Sequence, residues 1–273
     1  MKQLAILILS SMLMQCQTSK KEPMPKTDFY ISEHTITYKN QELPFGKPVA
    51  EWIKIFGKYD RVNPPLGEKG VIRRNYIWDN LGLAIEEHGE DGENKIVPDF
   101  YIFFMNLDSP LGQIGKLEQA KGRMSVKFVK ERNHKDGWFP EKTDPEFYTD
   151  MLDEEKKGSK APQNFIYPFK IYNKSLNIDG AEVKEGMKVS DINKKRTAAD
   201  LPVIKYYDAD MNLKNEDGSV TTLSNGYFTT FNGFSSPEEQ SKADFYNIMY
   251  RQTEGEIEYI RIVHDRGQEY FNF

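Results

Sequence analysis

One cysteine, four histidines and no long apolar run are what this 273-residue chain has least of, and each scarcity excludes something. A single thiol, Cys16, cannot close an intramolecular disulfide, so the fold rests on its core. The histidines His34, His88, His134 and His264 share no metal-ligand spacing, and there is no His-Glu-x-x-His, no glycine-flanked serine elbow and no phosphate loop. The motifs therefore ask for neither a cofactor nor a metal. Strong charge of one sign is also missing. With 37 basic residues against 42 acidic ones and a net charge of −5, the surface is mildly acidic and mixed, which disfavours nucleic acid as a partner.

What is present starts at Lys2, which precedes the apolar stretch Leu4 to Leu9 and the methionines Met12 and Met14. That stretch is too short to cross a bilayer and reads as a signal peptide over residues 1–15. The tetrad Leu13-Met14-Gln15-Cys16 resembles a bacterial lipobox, which implies cleavage before Cys16 and its acylation as a lipid anchor. Two or three acyl chains give stable membrane attachment. The resemblance thus implies an exported protein held on a bacterial envelope membrane, facing the periplasm or in the outer membrane. Residues 16–28, polar with Pro23 and Pro25, read as a flexible tether. Beyond it, 13% aromatic residues are ample for one large or two ordinary cores.

A stretch near the start of the body returns. Thr35 to Trp52 lies over Ser175 to Ile192 at an offset of 140 without a gap, pairing Ile36 with Leu176, Glu42 with Glu182, Leu43 with Val183, Gly46 with Gly186 and Val49 with Val189. The repeated pattern predicts a hairpin followed by a helix. In the first copy Val49, Trp52, Ile53 and Phe56 recur at helical spacing before Gly57; in the second the helix is expected to be shorter. The fold class expected is α+β, with two related modules at 29–157 and 163–273, each packing short helices on an antiparallel sheet. Strands are expected around Tyr76 to Trp78, Leu83 to Ile85 and Phe100 to Met105. A short helix is expected at Asp144 to Lys157, and a longer one from Ser236 to about Tyr250.

Candidate functional residues are few. The carboxylates of Glu86 to Glu93, with His88, invite a metal reading, and the glycines Gly89 and Gly92 favour a hairpin tip instead. Asp208, Asp210 and Asn212 open like a calcium loop, which Leu213 and Ser219 then fail to complete. The basic run from Lys121 to Lys135 is followed by Trp138 and Phe139. Together with Trp78 these aromatics are the candidate binding residues, set against the commoner fate of aromatics as core.

The segment Leu43 to Gly57 with Tyr76-Ile77-Trp78-Asp79 and Leu81-Gly82 resembles uncharacterised exported bacterial lipoproteins that carry a domain of unknown function. Gly186-Met187 before a helix is similar to modules of the β-lactamase-inhibitor-protein and BamE type, which implies binding to other proteins. The reading these features favour is a membrane-anchored, non-catalytic binding module for a protein or envelope component. The alternative is an envelope hydrolase using a carboxylate pair.

Overall fold

The computed structural model describes residues 27–62, 71–90, 95–106, 108–113, 117, 166–207, 226–231 and 233–266. The leader, Cys16, most of the tether, Trp138, Phe139, the expected helix at 144–157, the expected boundary at 157–163 and the calcium-like loop lie outside the described residues.

Two sheets carry the fold. The smaller has five strands in the order β3-β2-β1-β8-β9. At its centre β1 (Phe29–Ile31) pairs antiparallel with β2 (Ile36–Tyr38), which continues to β3 (Gln41–Glu42). On its other side β1 runs parallel to β8 (Leu176–Ile178), and β9 (Ala181–Val183) closes that edge. This sheet is therefore mixed, where antiparallel pairing alone was expected.

The larger sheet is antiparallel throughout and has eight strands. Four come from the first part of the chain: β4 (Arg61–Val62), β5 (Val71–Trp78), β6 (Leu83–Glu90) and β7 (Ile96–Phe103). Four come from the second: β10 (Lys205–Tyr206), β11 (Gly226–Thr229), β12 (Phe245–Thr253) and β13 (Glu256–Asp265). The sets meet at the β7–β13 seam, where Ile102 faces Ile260 and Phe100 faces Ile262. Each sheet thus draws strands from both sides of residues 118–165.

The stretches 140 residues apart take the same local form. Their turns put Lys39 and Asn40, then Asp179 and Gly180, at positive φ, and Gly46 and Gly186 follow at φ 69° and 76°. Helices α1 (Val49–Phe56), α2 (Pro110–Gln113), α3 (Val189–Ala198) and α4 (Pro237–Ser241) are assigned among the described residues. The second copy's helix, α3, is the longer of the repeated pair. One difference stands out at equivalent positions: Phe56 joins the aromatic core, whereas Arg196 is buried with its Nε donating to Pro202 O and its Nη1 donating to Asp179 Oδ2 at 3.0 Å.

The main core fills the space between one face of the large sheet, the small sheet and helices α1 and α3. Phe100 is its hub, stacked on Phe56 at 5.8 Å and set 5.4 to 6.5 Å from Trp52, Phe29 and Phe45. Removing a fully buried aromatic such as Trp52 costs about 3–5 kcal/mol.

The region from Ser236 departs from expectation. Ser236 Oγ does accept from the backbone N–H of Glu239 at 3.1 Å, and the Glu239 carboxylate accepts from Ser235 N at 2.6 Å, so the cap is real. The helix nevertheless ends at Ser241, and Phe245 to Thr253 is strand. The alternate residues Tyr246, Ile248 and Tyr250 bury in the core, and that period of two overrides the helical period that the same residues also fit. Glu254 and Gly255, at φ 50° and 88°, make the turn to β13.

Candidate functional site

Alternation gives the large sheet a second face. Next to the β5–β6 turn that face is apolar, with Ile77, Ala84, Tyr101, Phe103 and Tyr259 in a smaller core beside Tyr167 and Ile166. Toward the other end of the same strands it becomes ionisable. Glu86 and His88 leave β6 on this side, two residues apart, and Asp99 leaves β7 beside them. The β6–β7 pairing shifts register between Glu86 and His88, opposite Val97 and Pro98. Proline has no N–H for the ladder, and a bulge re-aims its neighbours. His88 is brought onto Asp99 as well as Glu86.

The geometry is tight. His88 Nε2 lies 2.7 Å from Glu86 Oε1 and 3.3 Å from Asp99 Oδ2. The ionised Glu86 carboxylate can only accept, so the imidazole N–H donates to it. Arg261, from β13, donates from Nε to Asp99 Oδ1 at 2.8 Å, and its guanidinium lies 5.6 Å from the Tyr101 ring centre. Tyr101 Oη donates a long bond, 3.4 Å, to Glu86 Oε2. The side chains are graded in exposure, from 1% for Asp99 through 13% for Glu86 to 22% for His88.

Burial and charge separate the two acids. Burial pushes Asp99 above the usual carboxylate range, against the opposing charge of Arg261. For Glu86, burial works the same way, but the hydrogen bond and charge of His88, with Arg261 and Arg73 nearby, outweigh it and hold the group below its usual value. Burial also pushes the Tyr101 hydroxyl far up, so it stays a donor.

Glu86, His88 and Asp99 offer ligand atoms within 4.8 Å of one another, a mixed oxygen and nitrogen set of the kind a divalent cation takes. The Arg261 guanidinium already supplies a positive charge to Asp99 from the opposite side. The same three groups, two carboxylates in contact with one imidazole, can also hold and pass protons. Elsewhere, a cavity of about 550 Å³ opens near the opposite end of β7, lined by Tyr38, Asn80, Leu81, Asn106, Tyr172 and Lys174 among others, and none of the clustered groups reaches it.

The hairpin-tip reading of Glu86 and His88 is corrected by this geometry, since both sit within strand β6. Sequence reasoning missed Asp99 and Arg261 altogether. Asp99 interrupts the otherwise apolar run Val97 to Phe104, and Arg261 stands between Ile260 and Ile262 in a strand that also carries Glu258; a charge among the apolar residues of a buried strand was the available signal. Trp78, expected as an exposed anchor, is corrected too. It is 2% exposed, packs against Phe56, and its indole N–H donates to Gly57 O at 2.8 Å.

The residues beside Trp78 tie down a neighbouring segment. Asp79 accepts from Arg61 Nε at 2.9 Å and from Phe169 N at 3.2 Å, and its carbonyl accepts from Lys170 N. Gly82, at φ +74°, lies so close to Ile171 and Tyr172 that a Cβ there would meet the backbone N of Tyr172 at 2.2 Å.

An α+β body with an ionisable cluster on one sheet face is thus the class of protein defined. The chain belongs to the family described as Domain of unknown function (DUF7738), whose model matches residues 28–193, more than half of its length. No curated protein and no solved structure matches it. The matched span includes Glu86, His88 and Asp99 and stops short of Arg261. No described helix is long and apolar enough to cross a membrane.

Proposed function

We propose that this chain is a hydrolase acting at the cell envelope through the carboxylate pair Glu86 and Asp99 on either side of His88. The observation that supports it is one imidazole nitrogen within 3.3 Å of two carboxylates whose surroundings push their affinities for a proton apart. Such a separation is how one site comes to hold an acid and a base together.

Hydrolysis needs a water to lose a proton and a leaving atom to gain one. Glu86, ionised and partly accessible, takes the proton from water. His88, the most exposed of the three, hands its Nε2 proton to the leaving atom and is reloaded from Asp99. Arg261 holds Asp99 in place. The proton gained by Glu86 replaces the one Asp99 gave up, across a gap of less than 4.8 Å.

Location enters this proposal from the sequence. The leader at 1–15, the tether at 16–28 and Cys16 as lipid anchor together assign the body to an envelope membrane. The two-module organisation belongs here also, as descent of the halves at 29–157 and 163–273 from one duplicated unit. Its support is the shared succession of hairpin, helix and four strands. The competing idea of a non-catalytic binding module drew on the resemblance at Gly186-Met187, with Trp78, Trp138 and Phe139 as its anchors; Trp78 is buried and the other two aromatics lie outside the described residues.

The test is release of new ends from isolated cell envelope, and from chromogenic esters and glycosides, by the purified full chain. Glu86→Gln is expected to lower the rate about 10²–10⁴-fold. Release by that variant at the wild-type rate would sink the proposal.

A further inference from the structure

The strand that borders the cluster carries two groups the proton-handling scheme does not use. Asn75 and Arg73, on β5, face Glu86 and His88 across the antiparallel ladder. Directly paired residues project from the same face with their Cβ atoms about 4.5–5.5 Å apart, so both stand beside the cluster. Ile77, two residues further along, confirms the face by joining the apolar end of it.

Their surroundings differ. Asn75 is 3% exposed, and its Oδ1 is buried with no hydrogen-bond partner. Leaving a buried acceptor unsatisfied is costly, and substituting a smaller apolar residue would remove the cost. Arg73 is exposed, and no ion pair or hydrogen bond engages it among the described residues. Its charge is nonetheless felt at Glu86. The edge of the cluster therefore carries a guanidinium that no described residue engages, with the orphaned Asn75 oxygen buried beside it.

We infer that Arg73 forms the recognition edge of this site, binding an anionic group of the substrate, a carboxylate or a phosphate. The word substrate rests on the hydrolase reading; binding of the anion does not. A guanidinium pairs with either anion through two parallel N–H bonds, a geometry lysine cannot reproduce. Arg73 and Arg261 flank the acids from opposite sides, so the rim offers positive charge to an incoming anion while Glu86 sets the distance at which it must stop.

The inference is tested on the full chain by NMR-monitored titration with inorganic phosphate and, separately, with acetate, at constant ionic strength set by chloride. Saturable shifts are expected at residues 73–75 and 86–88. The anion that binds more tightly names the group. Arg73→Gln should weaken binding at least tenfold, Arg73→Lys should weaken it less, and Glu86→Gln should strengthen it by removing a repelling charge. Equal binding by wild type and Arg73→Gln overturns the inference and leaves the hydrolase reading standing. Loss of anion binding in Arg73→Gln, in a chain that cleaves nothing, supports the anion site and removes the hydrolase.

Discussion

Asp99 and Phe100 are neighbours in one strand and live in opposite surroundings. Phe100 is enclosed by Phe29, Phe45, Trp52 and Phe56 on the side of the sheet covered by the small sheet and α1. Asp99, pointing the other way, meets His88 and Arg261. The first face does what dispersion and the hydrophobic effect do without direction, and it tolerates any group that fills the volume. The second has charges placed to a few tenths of an ångström, which contribute little to stability as buried ion pairs. A sheet face spent on such groups when apolar ones would pack is the ground for proposing a site there.

Substitutions on the two faces should separate stability from activity. Glu86→Gln is expected to remove hydrolysis by about 10²–10⁴-fold and to shift the urea midpoint little. Trp52→Ala should do the reverse, lowering stability by about 3–5 kcal/mol while the folded fraction keeps its specific rate. If both variants lose activity and stability together, the two faces are not independent.

A smaller effect is expected at the junction between the faces. Gly82→Ala places a Cβ against the backbone of Tyr172 at positive φ and should cost about 2 kcal/mol or more, read by urea unfolding. An unchanged midpoint would show that the 166–173 segment is not held there.

The pH profile sharpens the contrast further. On the acid side the rate should fall as Glu86 gains a proton, below the usual carboxylate range; on the alkaline side it should fall as Asp99 loses its proton, above that range. Asp99→Asn should retain only the acid limb of a reduced rate. The core face has its own, weaker pH dependence through His264, which rests against Phe45 and Tyr246 and bonds Asp244 at 3.0 Å. Burial holds His264 below its ordinary value of 6.5. The fold prefers it neutral, so its contribution is present above 6.5 and is lost as pH falls below that toward the lowered value. His264→Phe should abolish that part of the difference in urea midpoint between pH 7.5 and pH 5.5, and this is the smallest change of the set.

The hairpin and helix at Ile36–Phe56, and their counterpart 140 residues on, were legible in the sequence because turn, glycine and helical period agree in both places. The strands at Tyr76, Leu83 and Phe100 were legible for the same reason. Ser236 to Tyr250 was not, since its apolar residues satisfy both periods and only the seam with β13 decides between them. The site was half legible. Glu86 and His88 drew notice as a pair, but a third member thirteen residues ahead and a fourth on β13 are joined only by sheet order. Trp78 misled because an aromatic's sequence neighbours do not report which face covers it.

Carbon-detected NMR titration of the Glu86 and Asp99 side-chain carboxyls in the full chain tests the central claim most directly. Two separated steps, Glu86 ionising below the ordinary carboxylate range and Asp99 above it, are the predicted result. Ionisation of both together within that range would contradict it.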